Sequence, residues 1–363
     1  MQIYKILNQG SFSKDDIATL LSIHNDADRN TLYKKAYQIK KQFVGNIAYF
    51  RGLIEFSNIC AKNCLYCGIR SGNTKLKKYE MTTKEILDAM DFAWKNRYGS
   101  VVLQSGEIST PKFVDKVDTI LQKIMDTTNG EIGITLSCGE QTKETYKRWF
   151  ESGARRYLLR IETSNKNLYY KIHPKDEYHC FENRVNALKN LKEIGYQTGS
   201  GIMVGLPFQT IDNIADDILF LKNIDIDMVG LGPYIEHSET PLYKEKNSLI
   251  PRIERFNLAL KTIAILRILM KDINLASATA LQAIDPEGRE KALLAGANII
   301  MPNITPTKYR DDYLLYEDKP CTGEDAVLCK GCLEARIAKY GEIIGYGEWG
   351  DSKHFDKRKN SDK

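Results

Sequence analysis

Residues 47–70 read Ile-Ala-Tyr-Phe-Arg-Gly-Leu-Ile-Glu-Phe-Ser-Asn-Ile-Cys-Ala-Lys-Asn-Cys-Leu-Tyr-Cys-Gly-Ile-Arg. The apolar run from Ile47 to Phe56 has the make-up of a strand, and it feeds at once into Cys60, Cys64 and Cys67, spaced C-x3-C-x2-C. In an open doubly wound sheet, the turn after the first strand carries a glycine-rich phosphate loop. Here that slot holds cysteines, which favours the other parallel architecture, a closed barrel. Three thiolates on one short loop can grip three irons of a 4Fe–4S cube and leave the fourth without a protein ligand. A zinc knuckle is the competing reading. Structural zinc takes four ligands in paired units, and no fourth candidate lies close by.

Outward from this stretch a strand–helix alternation continues almost to the end. Apolar runs occur at 47–56, 100–105, 131–137, 155–161, 198–206, 227–235, 273–279 and 297–301. Between them, 83–96, 111–126, 142–152, 182–194, 210–223, 251–270 and 286–295 read as amphipathic helices. Thr82 to Glu85 has the capping-box pattern, and Thr210 followed by Asp212 starts another helix. Eight strands, each with a crossover, predict a complete (β/α)8 TIM-type barrel over 47–305. Residues 1–46 form a helical extension before it, with Ser13 capping a helix from Lys14. Residues 306–363 form a C-terminal segment that ends in a basic tail, read as solvated and frayed.

Composition removes several classes. Net charge is +5 with no aromatic-interleaved basic patch, so nucleic acid is not an expected partner. No apolar run approaches the roughly 18 residues of a membrane span. The first residues lack the apolar core of a secretory signal. Eight cysteines in 363 residues do not resemble an extracellular disulfide framework, and reduced, metal-binding thiols in an anaerobic cytoplasm fit better.

In a barrel, chemistry gathers at the C-terminal ends of the strands. The fourth run, Arg155 to Thr163, places Leu158, Arg160 and Glu162 on one face and Tyr157, Leu159 and Ile161 on the other. The apolar face belongs against the helices, which turns Arg160 and Glu162 into the lumen. Buried charges are costly unless paired, so the two argue for a polar ligand, or for an ion pair with each other. The second run ends Gln104-Ser105-Gly106-Glu107, where Gly106 lets backbone approach a ligand. Thr135 and Ser137 share a face of the third run, and Ser277 and Thr279 a face of the seventh. Arg184, early in its helix, can point over the barrel mouth. Cys138 and Cys180 are most simply ordinary thiols. Cys321, Cys329 and Cys332, spaced C-x7-C-x2-C, could hold a second metal centre.

With Tyr66 before the third cysteine, the loop resembles the C-x3-C-x-Φ-C motif of the radical S-adenosylmethionine (SAM) enzymes. The wider chain is similar to the radical-SAM maturase of iron-iron hydrogenases, the HydE type, a relative of biotin synthase and methylornithine synthase. The likeness runs through Ile54–Asn58, Lys62–Gly68, Tyr157–Thr163, Phe181–Arg184, Met203–Pro207, Asp227–Gly230, Gly296–Asn303 and the terminal cysteines, roughly residues 30 to 350. The resemblance implies a 4Fe–4S cluster on Cys60, Cys64 and Cys67 that chelates SAM and cleaves it reductively to a 5′-deoxyadenosyl radical. It implies that Ser105-Gly106-Glu107 replaces the family's "GGE" segment and that Gly201 to Pro207 lines the SAM site. Tyr66, Gln104, Ser105, Gly106, Glu107, Thr135, Ser137, Glu162, Arg184 and Met203 are the expected cofactor contacts, and Arg160, Thr279 and Tyr309 the expected catalytic ones. Cys321, Cys329 and Cys332 would hold an accessory 2Fe–2S or 4Fe–4S cluster. The implied partners are a small organometallic or amino-acid-derived substrate, a ferredoxin- or flavodoxin-type electron donor, and the other hydrogenase maturases. The implied role is assembly of the diiron subsite of the hydrogenase H-cluster. An amino-acid mutase of the methylornithine type and a non-catalytic metal carrier remain as alternatives.

Overall fold

The computed structural model describes residues 2–361. The strands are β1 (Ile47–Ser57), β2 (Ser100–Ser105), β3 (Gly133–Ser137), β4 (Ala154–Leu158), β5 (Gln197–Ser200), β6 (Met203–Val204), β7 (Met228–Pro233), β8 (Asn274–Ser277), β9 (Ile299–Ile300) and β10 (Ile343–Ile344). All pair in parallel, in the order β1-β2-β3-β4-β5-β7-β8-β9, and β9 returns to β1 through Tyr49–Ile299 and Phe50–Ile300. That pairing closes the barrel. β6 continues the fifth position after a break at Gly201, where any side chain would strike the carbonyl of Gly230 on β7.

The sequence explains the local structure well. β1 is buried along nearly its whole length, as a strand with helices on one side and a filled lumen on the other must be. The helix Thr83–Lys95 starts with a complete capping box between Thr82 and Glu85, and Ile211–Asn223 with one between Thr210 and Asn213. In the N-terminal extension, Ser13 caps Lys14–Leu21 and the helix Asp26–Phe43 packs along Arg252–Leu269. Two short helices were not expected, Lys166–Ile172 after β4 and Thr279–Ile284 after β8. The fourth strand is also shorter than expected, since it ends at Leu158.

The tail differs most from its expectation. β10 adds to the lower end of β1, and residues 347–352 then cross the N-terminal mouth of the barrel. There the Gly350 carbonyl accepts from Arg51 (3.0 Å) and Asn274 (2.8 Å), and Asp351 pairs with the buried Arg156 at 2.6 Å. The helix Lys353–Ser361 is held beneath by His354 on Asp225 (2.8 Å) and Arg358 on Asp227 (2.7 Å). This segment is a floor and not a frayed end. Its charges face acidic partners from two distant loops, which composition alone does not reveal.

Candidate active site

The upper lumen encloses a cavity of about 330 Å³. Its roof is the cysteine loop together with residues 313–319. Gly106 sets how closely the end of β2 approaches that loop: a side chain there would meet the Ile59 carbonyl and lie 2.8 Å from Cβ of Cys60. Two hydrogen bonds use this closeness. The Ala61 amide donates to the Glu107 carbonyl (2.9 Å), and the Glu107 amide donates to the Cys60 sulfur (3.3 Å). Burial pushes all three thiols up, Cys67 to about 12, and the neighbouring sulfurs raise Cys64 and Cys67 further. Three thiolates side by side therefore need a cationic centre to hold them. They do not form a group tight enough to share one ion among the described residues, whereas a cube accepts sulfurs spread around its corners. The donor set fits a 4Fe–4S cluster.

Beside the cysteines lies a closed charge network. Lys62 sits 3.0 Å from Glu107 and 3.1 Å from Glu140, and Arg184 sits 3.2 Å from Glu107 and 2.6 Å from Glu140. Burial pushes Glu107 up, but Arg184 and Lys62 outweigh it and hold the carboxyl below its ordinary value. Across the cavity Arg160 grips Glu162 with two parallel bonds of 2.8 Å and donates a third to the Ile202 carbonyl at 2.9 Å. Glu162 takes a left-handed backbone (φ 65°), uncommon for a non-glycine residue. This turn after β4 brings Arg160 and Glu162 onto one wall.

Tyr66, Gln104, Ser105, Gly106, Glu107, Ser137, Glu162, Arg184, Met203, Arg160 and Thr279 all line this cavity with the three cysteines. Two expected residues do not. Thr135 lies lower in the barrel, accepts from Arg156 Nε at 3.0 Å and borders a separate void of about 30 Å³. Tyr309 faces away from the lumen, stacked on Tyr79 with ring centroids 4.6 Å apart and donating to Glu85 at 2.9 Å. The tyrosine that reaches the cavity is Tyr316, whose hydroxyl meets Thr279 at 2.8 Å. In the C-terminal segment Cys321 and Cys329 lie close to Glu324, in reach of one metal ion, while the exposed Cys332 is outside that group.

Sequence reasoning also missed Glu55, His173, Tyr313, Leu315 and Lys319. Lys319 pairs with Glu55 at 2.6 Å, and both are almost fully buried. His173 Nε2 lies 3.3 Å from the Tyr66 hydroxyl, and its Nδ1 lies 3.0 Å from the Tyr169 carbonyl. A charged residue late in β1, as Glu55 is, was a usable signal. The roof residues offered none, because 311–320 shows no periodicity.

Residues 54–221 match the radical SAM superfamily. Over 352 residues the chain is 44% identical to the FeFe hydrogenase maturase subunit HydE of Thermotoga maritima, spanning 97% of each. The chain belongs to the HydE family. It is thus an iron–sulfur enzyme of the radical SAM superfamily, which implies a 4Fe–4S cluster and SAM. A 3-methylornithine synthase of Methanosarcina acetivorans is 28% identical over 299 residues, 82% of this chain and 81% of that one. Among solved structures, methylornithine synthase (PylB) superposes with a TM-score of 0.79 at 23% identity, covering 96% and 98% of the two chains. The maturase HydG gives 0.78 at 20% identity, covering 95% of this chain and 75% of that one. These two likenesses support the complete barrel. No helix among the described residues is long and apolar enough to cross a membrane.

Proposed function

We propose that this enzyme cleaves SAM and acts in building the diiron subsite of the FeFe hydrogenase H-cluster. The observation that carries the reading is the 44% identity to HydE over 97% of the chain. When held by Cys60, Cys64 and Cys67, the cluster supplies the electron that splits SAM into methionine and a 5′-deoxyadenosyl radical. The chain's own residues bind, orient and shield. Glu107 and Glu162, already fixed by Arg184 and Arg160, offer carboxylate oxygens to a cationic amine. The guanidinium groups offer donors to a carboxylate. Thr279 and Tyr316 add hydroxyls on the facing wall, and the roof at 313–319 excludes water.

The substrate in this reading is a small organometallic iron species or an amino-acid derivative, delivered by another maturase. The electron comes from a ferredoxin- or flavodoxin-type donor. Cys321 and Cys329 with Glu324 or Cys332 hold an accessory centre, and eight unpaired thiols suit a reducing cytoplasm. The test is maturation of an apo-hydrogenase co-expressed with the remaining maturases. Cys64→Ala is expected to abolish hydrogenase activity, and normal activity with that variant would overturn the reading. The methylornithine synthase likeness favours a second reading, which lysine-stimulated SAM cleavage with a rearranged product would establish instead.

A further inference from the structure

An electron bound for the cysteine loop must cross the protein wall, because the inner side of that loop faces the roofed cavity. Ile59, one residue before Cys60, is 39% exposed and brings that wall to the surface. Against it lies the irregular segment 71–79. The segment is tied to the cysteine loop along its length. The Ser71 amide donates to the Lys62 carbonyl (2.8 Å), Asn73 Nδ2 to the Gly68 carbonyl (2.7 Å), and Asn58 Nδ2 to the Lys77 carbonyl (2.8 Å).

Three lysines of this segment, Lys75, Lys77 and Lys78, are exposed. Lys78 lies against the loop, its Nζ 3.2 Å from the Ile69 carbonyl. Lys75 pairs with Glu239 at 2.9 Å. Lys77 and Lys78 have no carboxylate within ion-pair distance among the described residues. The nearby Glu80 is taken by Lys116 at 3.1 Å. A run of lysines is ordinarily a solvated face. This one differs in being bonded to the metal-ligating loop, in lying against Asn58 beside the exposed Ile59, and in having no carboxylate partner at Lys77 or Lys78, the Lys78 ammonium resting on the Ile69 carbonyl. An apolar centre with a rim of one charge suits a transient contact with a partner of the opposite charge.

We propose that Ile59, Lys77 and Lys78, rimmed by Lys75, form the docking surface for a small acidic electron-carrier protein. This rests on the radical SAM reading above. The carrier is oxidised by one electron and the iron–sulfur centre is reduced by one, with no bond made or broken at the interface.

The test uses the cluster-loaded chain and a purified acidic ferredoxin. Calorimetry at low ionic strength reads their affinity, and a separate assay reads 5′-deoxyadenosine formed with dithionite as reductant. Lys75→Glu combined with Lys77→Glu is expected to weaken ferredoxin binding about tenfold and to flatten its salt dependence. The dithionite-driven reaction is expected to keep its rate. Lys123→Glu, an exposed position on the outer helix Pro111–Thr128, is the control and should leave binding unchanged. Unchanged affinity in the double variant overturns the docking surface, as does equal weakening by Lys123→Glu. Absence of 5′-deoxyadenosine from the unaltered chain with dithionite would instead fault the radical SAM reading, which the binding measurement does not share.

Discussion

Lys319 reaches across the barrel mouth to lie 2.6 Å from Glu55 at the end of the first strand, with 5% and 1% of the two side chains exposed. Asn303 donates to the other carboxylate oxygen at 3.1 Å, and the Tyr313 carbonyl accepts from Lys319 at 2.8 Å. Replacing Lys319 by Met leaves a buried carboxylate without its cation, which costs about 3–5 kcal/mol. Urea unfolding is expected to show that loss. The double variant Glu55→Gln, Lys319→Met should recover most of it, because no unpaired charge remains.

Gly106→Ala drives a methyl group into the backbone of Ile59 and the side chain of Cys60. Neither is the flexible end of a side chain, so the cysteine loop must shift. Iron and sulfide content after anaerobic reconstitution should fall severalfold, with the far-ultraviolet circular dichroism unchanged.

Tyr309 and Tyr316 separate cleanly. Tyr309→Phe removes only a bond to Glu85 outside the lumen, so turnover should stay near that of the parent and stability drop by about 1 kcal/mol. Tyr316→Phe removes the hydroxyl that meets Thr279 inside the cavity and should lower turnover about tenfold or more. Equal kinetics for both variants would show that the inward position of Tyr316 has no part in the reaction.

The floor should respond to pH through His354. The Asp272 carboxylate, 3.6 Å from Nδ1, raises the imidazole above its ordinary 6.5; burial opposes this, and Asp225 and Asp227 add to it. Lys357 and Arg358 also face these carboxylates. A raised folded value means the protonated histidine stabilises the fold, fully below the unfolded value and no longer once pH passes the folded one. Melting temperature should therefore decline as pH rises from about 6 to 8, beyond the decline in His354→Asn.

The barrel was legible because its longer strands, such as β1, β2 and β7, are buried on both faces and read as nearly unbroken apolar runs, while the capping box at Thr82 and the Thr210–Asp212 pair marked helix starts. The cavity was legible where strand ends and the start of one helix carry it: Cys60, Gly106 and Glu107 follow the first two strands, and Arg184 lies in the first turn of Phe181–Ile194. The fourth run shows the limit. Leu159 and Ile161 look like continuing strand, yet regular strand ends at Leu158 and the chain stays beside the fifth position through a single bridge of the left-handed Glu162 with Ile202, which seats its charges. Tyr309 was what the resemblance implied, and nothing in an aperiodic stretch tells that Tyr316 is the aromatic that turns inward. The floor was illegible for another reason. Asp225, Asp227 and Asp272, which hold its helix, are far from it in sequence and look like ordinary loop acids.

That floor also orders events in time. Residues 347–358 leave the ribosome after every strand of the barrel has been made. Arg51 and Arg156, at the lower end of the barrel, are therefore made long before their partners at Gly350 and Asp351. The base of the reaction chamber thus depends on a segment that follows the whole barrel in the chain.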